Sequence, residues 1–135
     1  MSRAKATTKQ SGGGGFTFAD KVAAMFMAWM LRRDLSLEVS IGPVVAIDFE
    51  TKESGNPLDD LQIAFSYEGQ ETRLVLSVKS NRQLTKSGFD SEFVLDAWEQ
   101  WTTTSARSVF DAEHDLLGLT LGAVEDVTLD DWKTL

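Results

Sequence analysis

The strongest constraint on the fold of this 135-residue chain is a predicted β-hairpin near its middle. Apolar and polar residues alternate over 60–67 and again over 72–79, as they do in strands that bury one face. Between them, Gly69 and Gln70 are predicted to form the tip of a tight turn. Successive side chains of a strand point to opposite faces. One face of the hairpin is therefore predicted to enter the core, and its residues are Leu61, Ile63, Phe65, Leu74, Leu76 and Val78.

The other face of the predicted hairpin is polar. In the predicted register Asp60 lies opposite Lys79, and Gln62 lies opposite Ser77. A carboxylate beside a lysine suits metal-dependent phosphodiester hydrolysis, because the carboxylate binds Mg²⁺ and the lysine stabilises charge on the phosphate. A solvated cross-strand ion pair, worth about 0.2–1 kcal/mol, is the alternative interpretation.

Residue counts exclude several kinds of chemistry. Cysteine is absent, and His114 is the only histidine. A disulfide scaffold, a thiolate metal site and a histidine cluster are therefore excluded. Any Ser-His-Asp triad would depend on His114 alone, and cysteine nucleophiles are absent. A function as a small-molecule enzyme is supported by neither a nucleophile nor a cofactor motif in the sequence.

The chain is acidic, with a net charge of −8. A freestanding, nonspecific nucleic-acid binder is normally basic, so this charge argues against one. A local basic strip nevertheless follows the hairpin turn, because residues 72–89 contain four basic side chains and no acid; these are Arg73, Lys79, Arg82 and Lys86. A solvated loop with ordinary charges is the alternative interpretation of this strip.

The N-terminal part of the chain is predicted to be a leader followed by a helix. Residues 1–15 end in four glycines and have few apolar side chains, so a flexible leader is expected. A helix is predicted over 17–34, with Thr17 as its N-cap. Its apolar run, 22–31, has about half the length that a bilayer span requires. No membrane contact is expected, and the expected compartment is the cytoplasm.

Two strands are predicted between this helix and the hairpin. They cover 37–41 and 44–50 and are separated by Gly42 and Pro43. Apolar residues alternate with polar ones in the second strand, which ends at Glu50. Glu50 is therefore a second candidate acid.

A helix over 91–102 and a strand over 116–121 are predicted after the hairpin. The helix has an apolar stripe that is predicted to be core; it consists of Phe93, Val94, Ala97, Trp98 and Trp101. A last helix, over 128–135, would have barely two turns. A helix this short suggests that the chain is the N-terminal part of a longer protein. Residues 16–135 are expected to form one domain.

The order helix, strand, acidic loop, hairpin, lysine-ended strand and helix resembles the restriction-endonuclease-like PD-(D/E)xK superfamily. The segments that carry this resemblance are Gly15-Phe16, Glu50, Leu58-Asp59-Asp60-Leu61 and Leu76-Ser77-Val78-Lys79. Within the superfamily the chain is similar to the double-stranded-DNA nuclease domains of bacterial antiphage systems. Those domains lie at the N-terminus of antiviral STAND NTPases or of nucleotide-activated effectors.

The resemblance implies an α/β fold with a restriction-endonuclease-like core, in which helices flank a mixed β-sheet with a central hairpin. It also implies roles for individual residues: Asp60 as the metal-binding aspartate, Glu50 as an upstream acid near the metal and Lys79 as the catalytic lysine. The hairpin pattern selects Asp60 independently, because Asp59 would point to the apolar face. Asp59 is kept as an auxiliary candidate.

The chain departs from the superfamily at one position. Two residues before the lysine the superfamily usually has Glu, Asp or Gln, whereas this chain has Ser77, a weaker ligand without negative charge. Gln62 or Glu50 would then have to supply the missing oxygen. The basic residues expected to contact DNA are Arg73, Arg82 and Lys86.

Two functions follow from these patterns. The first is a Mg²⁺- or Mn²⁺-dependent endonuclease domain that cleaves double-stranded DNA in antiphage defence. Its expected partners are the NTPase or sensor domains of a longer chain, and oligomerisation is expected to activate it, since clustering would compensate for weak binding by one acidic copy. The alternative is an interaction domain that keeps the fold and has lost the chemistry, an alternative that Ser77 favours.

Overall fold

The computed structural model describes residues 17–34, 36–49, 57–58, 60–80, 88, 90–102 and 110–122. The elements in chain order are helix α1 (Phe18–Arg32), a 3-10 helix (Val39–Ile41), strands β1 (Val44–Phe49), β2 (Leu61–Tyr67) and β3 (Gln70–Lys79), helix α2 (Ser91–Thr102) and strand β4 (Leu116–Leu121). The helices predicted over 17–34 and 91–102 and the strands predicted over 44–50 and 116–121 are therefore confirmed within the described residues.

The four described strands form one mixed sheet in the order β1-β2-β3-β4. β1 to β3 are antiparallel to their neighbours, whereas β4 is parallel to β3. Parallel neighbours need a crossover connection, and α2 lies in the connection between β3 and β4. The hairpin is thus at the centre of a mixed sheet, which confirms the predicted α/β class.

Helix α1 begins where its cap predicts. The Asp20 N–H donates to Thr17 Oγ1 at 3.2 Å, and the Thr17 N–H donates to Asp20 Oδ2 at 2.9 Å. This reciprocal pair is a capping box and satisfies donors that the first helical turn leaves free. The helix ends at Arg32. Arg33 caps it with a left-handed backbone conformation and donates its N–H to the Trp29 carbonyl at 2.9 Å.

The two helices cover opposite faces of the sheet. Val22, Ala23 and Phe26 of α1 pack in a core cluster that includes the buried residues Leu61, Ile63, Phe65, Leu74 and Leu76. The predicted core face of the hairpin is therefore confirmed. On the other face, Val75 packs with Leu58 and Phe110, and Phe93 and Ala97 of α2 pack against them.

The hairpin register differs from the predicted one by two residues. Glu68 and Gly69 form the turn, both with positive φ (49° and 85°), and Tyr67 pairs with Gln70. Positive φ at both central positions is the mark of a type I′ turn, which matches the twist of the flanking strands. Leu61 consequently pairs with Leu76. An even shift leaves every side chain on its predicted face.

The strand predicted over 37–41 is wrong, because the chain forms a 3-10 helix there. Ser36 Oγ accepts the Glu38 N–H at 3.3 Å and donates to the Gly42 carbonyl. The Gly42 N–H donates to the Val39 carbonyl at 3.3 Å. Such local bonds between a serine and the backbone replace the hydrogen bonds that a strand would make with a neighbour.

The predicted burial of the α2 apolar stripe is wrong for Val94, Trp98 and Trp101, which are exposed. Phe93 and Ala97 face the sheet as expected, and Gln100 is fully buried beside them. The buried arc of α2 therefore contains a polar residue. Trp98 lies outside this arc, and Trp101 lies at its edge, with its ring 6.0 Å from that of the buried Phe110.

Gly118 of β4 has no side chain, and two leucines of β3 pack directly over it. A Cβ atom at this position would lie 2.6 Å from Leu76 Cδ2 and 3.2 Å from Leu74 Cδ1. Gly118→Ala is expected to lower the free energy of unfolding by about 1–3 kcal/mol, because the leucines would have to leave their rotamers. Urea unfolding measures the change. An unaltered midpoint would show that the leucines repack without cost.

No helix in the described ranges has the length and apolarity needed to cross a bilayer. Several sequence-based predictions lie outside those ranges. They are the leader over 1–15, the helix over 128–135 and the candidate residues Glu50, Asp59, Arg82 and Lys86.

Candidate active site

Asp60 immediately precedes β2, and its carboxylate contacts the end of β3. Oδ2 accepts the Val78 N–H at 2.5 Å and the Ser77 hydroxyl at 3.5 Å. The β2–β3 register ends with Leu61 opposite Leu76, so the Asp60 side chain provides the acceptor that the ladder no longer supplies to Val78. No hydrogen bond from a described residue reaches Oδ1, which leaves that oxygen for a ligand.

Lys79 is the last residue of β3 and is half-buried. The prediction that it lies directly opposite Asp60 is wrong, since Asp60 contacts Ser77 and Val78 instead. Lys79 lies two residues beyond Ser77 and therefore shares its face of the sheet. Asp60 and Lys79 are both among the described residues, and no ion pair joins them. The structure thus brings the two groups to one end and one face of the sheet, with the carboxylate held by the neighbouring strand.

Ser77 is buried, and its hydroxyl donates only to the Asp60 carboxylate among described groups. It therefore helps to orient Asp60. The prediction that Gln62 lies opposite Ser77 is wrong, because Gln62 pairs with Val75. Gln62, Val75 and Ser77 lie on the same face of the sheet. Gln62 is half-buried and takes part in further interactions of its own.

Asp48 is a candidate that the sequence analysis did not select. It pairs with Gln62 across β1 and β2, so it lies on the same face as Ser77 and Lys79, and it is exposed. The available signal was the alternation in β1, because Ile47 packs against the α1 cluster and the adjacent Asp48 therefore points to the opposite face. Asp48 adds a second carboxylate to this face.

Apolar residues of β4 flank the polar end of β3. Leu119 pairs with Ser77 and Leu121 pairs with Lys79, and the Gly122 N–H donates to the Lys79 carbonyl at 3.3 Å. Partners in a sheet share a face. The lysine therefore stands beside a leucine, which limits its contact with water on that side.

Helix α2 holds the segment that leads to Asp60. Gln100 is fully buried, and its Oε1 accepts the Leu58 N–H at 3.4 Å. Leu58 is itself buried against Val75 and Phe110. A buried backbone N–H needs an acceptor, so Gln100 fixes the chain two residues before the candidate aspartate.

Arg73, predicted to contact DNA, is bound to an acid from elsewhere in the chain. Asp115 accepts the Arg73 N–H through Oδ1 at 2.8 Å and the guanidinium through Oδ2 at 2.8 Å. The side chain of Asp115 is 2% exposed and that of Arg73 is 24% exposed. Six residues of strand, about 20 Å, separate Arg73 from Lys79. The folded chain therefore places an acid against this end of the basic strip.

The only histidine lies in the turn before β4. His114 Nδ1 is 3.0 Å from Asp111 Oδ2, and both side chains are about half exposed. The pKa of Asp111 is lowered, first by the Glu113 N–H at 3.0 Å and then by His114. The same turn contains the Asp115 carboxylate that accepts the Asp111 N–H at 2.7 Å. These contacts stabilise a surface turn and are remote from Asp60.

The described acids suit one type of metal site. No group of three or more acidic or histidine side chains comes together within the described ranges. Mg²⁺ is usually held by one or two carboxylates together with water and substrate phosphate. Asp60 Oδ1 and the exposed carboxylate of Asp48 fit such a site, whereas a cage built wholly from protein oxygens does not fit.

A groove of about 580 Å³ lies at the other end of the sheet. Met30, Leu31, Arg33, Pro43, Val44 and Val45 line it. Val44 pairs with Phe65 and is about 17 Å along β1 from Phe49, which pairs with Leu61 beside Asp60. This groove is therefore separate from the polar face.

Comparison with models of protein families, with curated proteins and with solved structures gave no match. The residues and their geometry are therefore the basis for a functional assignment.

Proposed function

We propose that this chain is a Mg²⁺- or Mn²⁺-dependent endonuclease domain with a restriction-endonuclease-like core that cleaves double-stranded DNA. The observation that carries the proposal is the placement of Asp60 and Lys79 on one face, at one end, of the two central strands. A metal-binding carboxylate and a phosphate-binding cation are needed at one place for this hydrolysis.

The order of the elements supports the proposal. A helix is followed by a strand, a hairpin whose second strand ends in lysine, and a second helix. This is the order on which the resemblance to the PD-(D/E)xK superfamily rests. The coarse α/β architecture and the central hairpin agree with it.

Each residue has a defined task in the proposed reaction. Asp60 would bind the metal through Oδ1, together with Asp48 or Glu50, while Oδ2 keeps its bonds to β3. A bound metal would polarise the phosphate and lower the pKa of an attacking water. Lys79 would stabilise the negative charge that develops on the phosphate. Ser77 orients Asp60, which is a different task from the ligand role of the usual acid at its position.

The net charge of −8 supports dependence on a larger assembly. One acidic copy binds DNA weakly, and several copies would gain avidity. The proposal therefore includes a longer chain with a sensor or NTPase domain, activation by oligomerisation, a cytoplasmic location and a role in antiphage defence. Arg73, Arg82 and Lys86 remain the predicted DNA contacts.

Lys79→Met is expected to reduce cleavage about a hundredfold or more, because it removes the cation and keeps the apolar stem beside Leu121. The assay follows linear and supercoiled double-stranded DNA in Mg²⁺ and in Mn²⁺. It uses this chain and the longest protein that contains it, supplied with its activator. Lys21→Met removes an exposed lysine of α1 and is the matched control, with unchanged cleavage expected.

Intact DNA after incubation with the activated longer protein would overturn the nuclease proposal. The second candidate is then an interaction domain that keeps the fold without the chemistry. Two observations favour it: Ser77 carries no charge, and Asp60 Oδ2 is occupied by the backbone of β3. In that case Lys79→Met should leave assembly of the longer protein unchanged.

A further inference from the structure

The groove between the end of α1 and the start of β1 is mostly apolar. Five of its six described lining residues are apolar, and they are Met30, Leu31, Pro43, Val44 and Val45. The sixth is Arg33. The volume of about 580 Å³ lies within the range of sites that bind small molecules, about 300–1,000 Å³. The groove can therefore take a ligand with an extended apolar part.

Apolar side chains of the groove are open to water. Leu31 is 82% exposed and Val45 is 47% exposed, whereas Val44 between them and the core is buried. β1 is an edge strand of the described sheet, and its register with β2 shifts between Val44 and Ala46. Bulges of this kind at a sheet edge commonly redirect a side chain. A ligand that covers Leu31 and Val45 would remove apolar surface from water, which stabilises a complex.

Arg33 adds a positive charge that its neighbours do not neutralise. Arg32 donates to Asp34 through Nε at 3.2 Å and through Nη2 at 3.0 Å, so these two charges offset each other. No side chain among the described residues pairs with Arg33. The carbonyls at the end of α1 carry only about half an elementary negative charge. A net positive charge thus remains beside the apolar groove.

The size of the groove favours a small molecule over a macromolecule. A stable protein interface uses about 20–30 residues on each partner, far more than the described lining supplies. Anionic membranes are recognised by clusters of about 4–8 basic residues, and DNA by several phosphate contacts. One unpaired arginine in a chain of net charge −8 does not provide such a cluster.

The charge of the groove favours a monoanion. A guanidinium forms two parallel hydrogen bonds with a carboxylate or with a phosphate. A phosphate monoester carries a charge of about −1.5 to −2 at neutral pH, whereas a carboxylate carries one unit. Arg33 alone balances one unit, so a carboxylate is the matching group.

We propose that this groove binds a free small-molecule carboxylate with an unbranched apolar chain, a medium-chain fatty acid in chemical class. Arg33 would bind the carboxylate, and the chain would cover Leu31 and Val45. The groove is separate from the polar face that contains Asp60, so this ligand would not occupy the proposed nuclease site.

Isothermal titration calorimetry of the whole chain with decanoate tests this proposal, and one site per chain is expected. Arg33→Met is expected to weaken binding about tenfold or more, because it removes the charge-assisted hydrogen bonds and keeps an apolar stem. Leu31→Ala is expected to weaken binding about three- to tenfold, because less apolar surface is covered. The matched controls are Lys21→Met and Met25→Ala, which change exposed residues of α1 outside the described lining and should leave the affinity unchanged.

Ligands with other head groups make the test decisive. Decanol and decylamine have the same chain with a neutral and a cationic head, and binding of either as tight as that of decanoate would overturn the proposal. Tighter binding of decyl phosphate would assign the groove to a phosphate ligand instead. Tighter binding of an acetylated tetraleucine peptide would assign it to a peptide C-terminus. Either result would overturn the proposal.

The stoichiometry and the location of binding provide the remaining checks. Binding of several decanoate molecules per chain, or absence of binding at about 1 mM decanoate, would overturn the proposal. So would NMR spectra in which decanoate leaves the amide signals of Val44 and Val45 unmoved. None of these readouts uses DNA cleavage, so their outcome is independent of the proposed nuclease.

Discussion

Asp60→Asn is expected to reduce DNA cleavage about a thousandfold or more while leaving the fold intact. Polarisation by a bound metal is worth several kcal/mol, and each 1.36 kcal/mol or so corresponds to a factor of ten. Asparagine removes the negative charge but keeps a carbonyl oxygen of the same size. That oxygen can still accept the Val78 N–H, which Asp60 Oδ2 accepts at 2.5 Å. Cleavage of plasmid DNA and thermal unfolding of the same sample measure the two effects.

Asp60→Ala separates the chemical role of this residue from its structural role. It should lose cleavage as Asp60→Asn does. It should also lower the free energy of unfolding by about 1–3 kcal/mol, because the Val78 N–H is left without an acceptor. Glu71→Gln, at the far end of the same hairpin, is the control and should change neither quantity. Full cleavage by Asp60→Asn would exclude a metal-binding role and favour a purely structural carboxylate.

Asp115→Ala is expected to lower the free energy of unfolding by about 3–5 kcal/mol. The carboxylate is almost fully buried and accepts the Arg73 N–H, the Arg73 guanidinium and the Asp111 N–H. Removing the carboxylate leaves the half-buried Arg73 guanidinium and the N–H groups of Arg73 and Asp111 unpaired. Breaking a buried ion pair by removing one partner costs about 3–5 kcal/mol. Urea unfolding at neutral pH measures the loss.

Two controls identify the source of this loss. Asp34→Asn breaks the exposed Arg32–Asp34 pair, and no measurable change is expected because solvent screens that pair. Combining Asp115→Ala with Arg73→Met should recover part of the stability, because the unpaired cation is removed as well. A double variant no more stable than Asp115→Ala would show that the two backbone donors, rather than the guanidinium, account for the effect.

The faces of the hairpin could be predicted from the sequence, but its register could not. Alternation with a period of two assigns Ile63 and Leu74 to the core whatever the exact pairing. The register depends on which residues form the turn. Glu68 adopts positive φ although it is not glycine, a conformation that pattern alone does not indicate. The predicted register is wrong by two residues, and it therefore places Lys79, rather than Ser77, opposite Asp60.

Contacts between distant segments account for most of the remaining differences. The apolar spacing of α2 predicts a helix, but the arc that faces the sheet is decided by Gln100 and its bond to Leu58, 42 residues away. The pairing of Arg73 with Asp115 likewise spans 42 residues. Neither partner is marked by a local motif. Asp48 differs, because strand alternation alone places it on the polar face.

The parallel pairing of β4 with β3 has a consequence for folding kinetics. The β2–β3 hairpin joins neighbours in the chain, whereas β4 reaches β3 only after the intervening segment has closed, and closing a longer loop costs more entropy. We therefore expect the hairpin to form early and the Asp115 contacts to form after the rate-limiting barrier. Weakening a late contact accelerates unfolding and leaves the folding rate nearly unchanged. The β4 edge, with Asp115 at its start, thus governs how long each molecule stays folded rather than how fast it folds.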